Sequence, residues 1–432
     1  MLAYKIDSEI RKKVPPIKKI VPFSLKKPVL TKLSNGIDFY FFHNQSLDLI
    51  FFTLIVKAGF LFEHQKYIAS SCYLLLSESS GKYSSSEVED FLDFWGTDFS
   101  VSVRMEYVEL NFVVPKLNCE KVLPFIFDFI AYPHFNDDSL NLFKKRKIKN
   151  LEYNLLQVSY GATKQMYKTL FNQKLPIGDV LTKEHIENVR VSDLQQYHNE
   201  TFCAENIRLF VSGNVDEVLH SYISQTFSSI KSHQQILYLN YFPEDQIPSK
   251  LTVVKRDKVL QSAIVLCHRF NSYHCPDRND FSLVSMLFGG FFGSRLMKNL
   301  REKNGYTYGV SCGAIYFADS SIYCIKSEVN ADKTQNALKE CFNEMNRLSS
   351  GYVTQKELNT VKNYMLGGLL RNFDGTVSYM CNYIRWNDFG VDENELNKTI
   401  AAINEMTPQR VLDIAQKYLI PDEFSQIIVG KY

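Results

Sequence analysis

The chain has 432 residues, 45% of them hydrophobic and 22% charged, the balance of a folded globular protein rather than a disordered one. That length exceeds what one hydrophobic core organises, so two or more domains are expected. Lys and Arg (49) nearly cancel Asp and Glu (47), a net charge of +2 that gives no general attraction to nucleic acid or acidic membranes.

The opening stretch MLAYKIDSEIRKKVPPIKK has no apolar core and no small-residue cleavage site, so a secretory signal is not expected. No apolar run reaches the ~18 residues that a transmembrane helix needs. Leu33 to Gly36 (LSNG) signals a turn, and the β-prone IDFYFFHN and LDLIFFTLIVKAG follow it. Ser84-x-x-Glu87 forms a capping box ahead of Val88, Phe91, Leu92 and Trp95 at helical spacing. FSVSVRMEYVELNFVVP alternates over much of its length and reads as a strand. The basic run Lys144-Lys145-Arg146-Lys147, with Lys149, lies in a polar helical pattern and reads as a solvated helix face. Residues 238–250, with Pro243 and Pro248, read as a linker. Beyond it come strands in LTVVKR and SAIVLCHRF, a helix, strands in SCGAIYFADSSIYCIKSEV, and helices from about Gln335 onward. Thr354-x-x-Glu357 opens one of these as a second capping box.

A weak internal repeat organises this order. VSDLQQYHNETFCAENIRLFVSG, from Val191 to Gly213, and MTPQRVLDIAQKYLIPDEFSQIIVG, from Met406 to Gly430, each pass from a helix through a polar loop to a β-rich run closed by glycine. Ser192 and Thr407 are the expected helix caps, the latter backed by Pro408. The fold expected is α+β: a first domain over 1–237, the linker 238–250 and a second domain over 251–432, each a mostly antiparallel sheet covered by helices.

The segment LFGGFFGSRLMKNLREKNGYTYGVS, Leu287 to Ser311, reads as a glycine loop (Gly289, Gly290, Gly293), a helix over 294–303 ended by Gly305, and a strand. It resembles a signature of the pitrilysin, insulinase and mitochondrial processing peptidase family, in Ser294-Arg295-Leu296, Leu300-Arg301-Glu302-Lys303 and Gly305-Tyr306-Thr307-Tyr308. LPIGDVLTKEHIENVRVSDLQQYHNETFCAENIRLFVSGNVD, Leu175 to Asp216, fits the same family, as do the opening strands of both repeats. The resemblance covers most of residues 25–432. It implies the fold shared by the LuxS and mitochondrial processing peptidase metallohydrolases. It also implies that Arg301 and Tyr308 are the paired substrate-binding residues.

Family members that hold zinc carry His-x-x-Glu-His on a first-half helix, with a distant Glu as a further ligand. Two histidines one helical turn apart share the ion, and the Glu between them activates its water. In this chain the equivalent positions are Ser70, Tyr73 and Leu74, with Glu152 near the place of the distant ligand. Leu74 cannot ligate, and a phenol is a poor base at neutral pH. The chain itself is therefore expected to bind no metal and to carry no catalytic residue of its own.

Other features have ordinary readings. His198, His268 and His274-Cys275 fit no zinc spacing and read as surface or core residues, and Ser70-Ser71-Cys72 lacks a nucleophile elbow. The nine scattered cysteines, none in a Cys-x-x-Cys pair, read as reduced thiols of a cytoplasmic protein. The resemblance implies a zinc-less subunit that pairs with a homologous zinc-binding chain and lends it Arg301 and Tyr308 in peptide hydrolysis. Zinc is expected in that partner, and a homodimer is left open. Peptide substrates are expected, with 96–101 as an edge they pair with; nucleic acid and membrane are not. The alternative is a structural or assembly protein of the same fold.

Overall fold

Six strands of the first half form one sheet and five of the second half form another, in a computed structural model that describes residues 20–46, 48–78, 83–171, 177–232, 248–317 and 320–432. The first sheet is built from β1 (Val29–Lys32), β2 (Asp38–His43), β3 (Leu49–Val56), β4 (Asp98–Val103), β5 (Val108–Pro115) and β6 (Ile207–Gly213), in the order β1-β2-β6-β3-β5-β4. The second comprises β7 (Leu251–Lys255), β8 (Gln261–Phe270), β9 (Thr307–Tyr316), β10 (Ser321–Asn330) and β11 (Ser425–Gly430), in the order β7-β11-β8-β10-β9. Leaving β1 aside, the two orders are the same. In each, one parallel pair (β2 with β6, β7 with β11) stands among antiparallel neighbours. The weak sequence repeat is thus a repeat of topology. Most of the expected linker, 238–247, lies outside the described residues.

The repeat's closing glycines have a steric cause. Gly213 and Gly430 sit at φ +153° and +139°, and a Cβ at Gly213 would come 2.7 Å from Ile50 Cδ1 and from the Leu49 carbonyl oxygen. At Gly430 it would collide with Ser262. Only glycine brings these strand ends against their neighbours.

β8 reads as a nearly continuous apolar run because both its faces are covered. Ile264 and Leu266 join the core under the second half's helices. Ala263, Val265 and Cys267 face Val158, Ala162, Met166 and Leu170 of the helix Val158–Leu170, which belongs to the first half of the chain. The exchange is reciprocal. The second-half helix Thr376–Asp388 covers the first sheet, where Phe42 meets the rings of Tyr379 and Tyr383 edge-on at 5.3 and 5.4 Å. Each half therefore buries one sheet face only with a helix from the other.

Local details depart from the sequence reading at four places. FSVSVRMEYVELNFVVP is a hairpin, β4 and β5, turned where Arg104 N–H donates to the Tyr107 carbonyl at 2.8 Å. Alternation alone does not reveal a reversal. Ser192 is not a cap; the helix Val191–Thr201 begins after Arg190, whose N–H donates to Asp193 Oδ2 at 2.9 Å. Thr354 caps its helix through Glu357 N–H, but the Glu357 carboxylate goes to Arg295 instead of closing the box. Gly289 and Gly290 end a π-helical turn, Met286–Gly290, so the glycine loop is shorter than its composition suggests. The Ser84–Glu87 box and the Thr407 cap form as read.

Candidate functional site

The helix Ile68–Leu74 carries the three positions that correspond to a zinc motif. Its entry is unusual: Tyr67 precedes it at φ +76°, the left-handed region that non-glycine residues seldom occupy. Glu63 reaches back to accept the Ala69 N–H at 3.1 Å. Burial outweighs Lys66 and the backbone donors and pushes the Glu63 carboxyl up to about 7. Ser70 and Tyr73 are buried, and Leu74 packs half-buried against the first core. The Tyr73 phenol shares a 2.8 Å hydrogen bond with the Thr201 hydroxyl, which donates to the Tyr197 carbonyl at 2.6 Å. Complete burial pushes the Tyr73 phenol far above its ordinary range. Glu152 is exposed on the helix Asp137–Leu156. A serine, a buried neutral phenol and a leucine do not fit a zinc ion. Among the described residues no three His, Cys, Asp or Glu side chains converge as a metal site.

The other half of the expected site is open. Arg301 lies in the π-helical segment Met297–Lys303, whose wide winding ends at Gly305; such turns often mark functional places. Tyr308 lies at the start of β9, the outer strand of the second sheet. There Thr307 pairs with Val329 and Val310 with Ser327, so Tyr308 and Gly309 together face Glu328 alone. This is a β-bulge, and bulges re-aim side chains at strand edges. The Thr307 hydroxyl sustains it, accepting the Gly309 N–H at 3.0 Å and donating to the Glu328 carbonyl at 2.6 Å. Tyr308 consequently stands 83% exposed.

The Arg301 guanidinium sits 4.6 Å from the Tyr308 ring centroid and 4.8 Å from that of Phe292. Two aromatic faces hold the cation by its plane, worth about 0.5–2 kcal/mol each. Among the described residues no acceptor takes its N–H groups, whereas the neighbouring Arg295 is spent on a two-pronged contact with Glu357 at 2.8 and 3.1 Å. The structure thus brings Arg301 and Tyr308 together with unspent donors, a pair suited to a carbonyl oxygen or the oxyanion that develops on it. Phe292 is the residue that sequence reading missed. Its signal is a bulky aromatic inside a glycine turn, Gly290 to Gly293, just ahead of the arginine helix.

The remaining candidates fall into place. β4 forms the outer edge of the first sheet, so the expected edge over 96–101 is open in its strand portion. His198 is buried, bonded to the Ile130 carbonyl at 2.9 Å and stacked on Phe202, and burial pushes it down to about 4. His268 is likewise buried against Phe424 and pushed down to about 4. Both are core residues. In the basic run, Arg146 reaches Glu78 at 2.5 Å and Lys144 the Glu187 carbonyl at 2.9 Å, as on an ordinary helix face.

Comparisons with known proteins bear on the fold and the family. Residues 188–365 match the family described as the peptidase M16 inactive domain. A Rickettsia bellii protein named as an uncharacterized zinc protease is 23% identical over 79% of this chain and 82% of its own. A Bacillus subtilis protein of the same description is 22% identical over 78% and 82%. Among solved structures, a peptidase M16 inactive domain from Pseudomonas fluorescens superposes with a TM-score of 0.82 at 19% identity, covering 94% of this chain and 98% of that one. A protease from Helicobacter pylori gives 0.81 at 16%, over 94% and 100%. A periplasmic protease from Escherichia coli gives 0.76 at 17%, over 97% of this chain and 48% of its own. No helix among the described residues is long and apolar enough to cross a membrane. With its doubled sheet topology, its match to the M16 inactive domain over residues 188–365 and this set of relatives, the chain is similar to the M16 peptidases and shares their fold.

Proposed function

We propose that this chain is the zinc-less subunit of a heterodimeric metallopeptidase, lending Arg301 and Tyr308 to a zinc site held by a homologous partner chain. The observation that carries this reading is a contrast within one molecule. Tyr73, in the place of a catalytic base, is sealed in the core and hydrogen-bonded, while Arg301 and Tyr308 are stacked on each other and open. In peptide hydrolysis these two side chains would hold the scissile carbonyl and donate to the oxygen as it gains charge. An extended peptide pairing along the β4 edge would be read by its backbone. Nine cysteines, all unpaired, support a reducing, cytoplasmic setting.

The test is co-expression with a homologous chain bearing His-x-x-Glu-His. The complex should cleave peptides that this chain alone does not. Arg301→Ala should lower turnover by about 100-fold, the range for losing an oxyanion donor, while the complex stays intact by sedimentation. Unchanged turnover would favour a structural or assembly role instead.

A further inference from the structure

The face of the second sheet that lies under the helix Val158–Leu170 holds two free cysteines on adjacent strands, Cys267 on β8 and Cys324 on β10. The antiparallel register sets them directly opposite each other. Residues paired in this way stand about 4.5–5.5 Å apart between Cα atoms, inside the roughly 4.4–6.8 Å that a disulfide spans. Both side chains leave the sheet on the same face, where they pack in one cluster with Ala162 and Met166. Among the described residues no other two cysteines are register partners; Cys312, the remaining strand cysteine, faces Ile325. The two sulfurs also feel each other. Burial raises the Cys267 thiol to about 12, with Cys324 as the next cause, and burial raises Cys324 too. The Lys326 ammonium opposes the rise at both. Cys267 is fully buried and Cys324 retains 6% exposure, so a small oxidant meets Cys324 first.

We propose that Cys267 and Cys324 form a redox clamp, a free dithiol in the reduced protein and a cross-strand disulfide in the oxidised one. Hydrogen peroxide is the oxidant. The Cys324 sulfur, giving up its proton, attacks one peroxide oxygen. The O–O bond breaks, the sulfur keeps a hydroxyl as a sulfenic acid, and the other oxygen leaves as water. The Cys267 sulfur then attacks the sulfenic sulfur, the S–O bond breaks, and the hydroxyl leaves with the Cys267 proton as a second water. Two thiols and one peroxide become one disulfide and two waters, and a small dithiol reverses the closure by exchange. Buried thiols react slowly, so the clamp answers sustained oxidation rather than a brief pulse. The new bond joins strands that are already paired, which keeps the native register while the unfolded chain loses freedom. On its other side β10 pairs with β9, which carries Tyr308, so closure stiffens the strand behind that residue.

The test is peroxide treatment of the purified full chain, followed by peptide mapping without reduction and by thermal melts. A Cys381→Ser background removes the exposed thiol, so cross-links between molecules through that residue do not interfere. The map should show one peptide pair joined through Cys267 and Cys324, lost on treatment with dithiothreitol. The oxidised chain should melt roughly 5 °C or more above the reduced one, and dithiothreitol should return it to the starting value. Cys267→Ala and Cys324→Ala should each abolish that gain. The gain is read within each variant, oxidised minus reduced, so a change in baseline stability does not enter it. Recovery of Cys267 and Cys324 only as free thiols or separately oxidised acids overturns the proposal. So does a gain in melting temperature that persists in either Ala variant.

Discussion

The Tyr73 phenol and the Thr201 hydroxyl lie 2.8 Å apart inside the first core, and the chain continues to the Tyr197 carbonyl. Where a zinc-binding relative is expected to hold an ionised carboxylate, this protein holds a neutral, fully satisfied group. Tyr73→Phe removes one neutral hydrogen bond and should cost about 1 kcal/mol. Tyr73→Glu buries a carboxylate with no cation supplied for it and should cost more than about 3 kcal/mol. Denaturant midpoints of the two variants measure the difference. Similar costs would mean that the position is more open than its burial indicates.

Three buried titratable groups give stability a definite pH dependence. Burial raises Glu63 to about 7 from 4.5, so its contribution is full below about pH 4.5 and lost as pH rises through 7. Burial lowers His198 and His268 to about 4 from 6.5, so theirs is full above about 6.5 and lost as pH falls through 4. Between pH 6.5 and 4.5 the unfolded chain takes up about two protons on the histidines, while the native state takes up about one on Glu63. Stability should fall by roughly 1.4 kcal/mol per pH unit on acidification in that window. Glu63→Gln removes the opposing proton, so the slope should approach roughly twice that value. The same variant should be more stable than the natural chain at pH 8, by about 3 kcal/mol. Urea midpoints from pH 4.5 to 8 test both statements; parallel curves for the two proteins would exclude a role for Glu63.

Much of this architecture was legible in the residues, because it rests on local signals. Strand runs such as DFYFFH and QSAIVLCHRF, the Ser84–Glu87 box and Thr407 with Pro408 all act over a few positions. The repeat survived at Gly213 and Gly430 because a close approach between strands admits no side chain there. What stayed hidden depends on partners far away in sequence. Glu357 abandons its capping box for Arg295, 62 residues earlier, and the helices Val158–Leu170 and Thr376–Asp388 cover sheets of the opposite half. Of the candidate site, Arg301 and Tyr308 were readable by motif. The bulge that turns Tyr308 outward and the Phe292 ring against Arg301 arise from pairing register and packing, which spacing does not encode.

The exchanged helix Thr376–Asp388 is tied to the first sheet by Arg208, which contacts Asp388 at 2.5 Å and also reaches Asn387. Burial outweighs Arg208 and raises the Asp388 carboxyl, so the ion pair is only partly compensated for its desolvation. Arg208→Met leaves that carboxylate without its cation and should cost roughly 2–4 kcal/mol, discounted for the partial exposure of Arg208. Adding Asp388→Leu should recover most of the loss, because replacing both partners with apolar groups of similar size is often near neutral. Chemical denaturation of the two single variants and the double variant closes the cycle. Additive losses would show that the two side chains do not interact.

Phe292 makes no contact with substrate in the proposed mechanism; its effect passes through Arg301, which it stacks at 4.8 Å. In the active complex, Phe292→Ala should free the guanidinium to wander and lower kcat/KM by about 2- to 30-fold, the span of one cation–π contact. Phe292→Tyr keeps an aromatic face and should restore most of that activity. Arg301→Lys keeps the charge but loses the planar fork and its stacking, so it should resemble Arg301→Ala more than the natural chain. Loss of stability is a separate matter, since Phe292 is 61% exposed and its removal should leave the melting temperature within a degree or two. Activity that falls with Arg301→Ala yet stays unchanged in Phe292→Ala would assign the ring to the surface and leave Tyr308 as the sole support of the arginine.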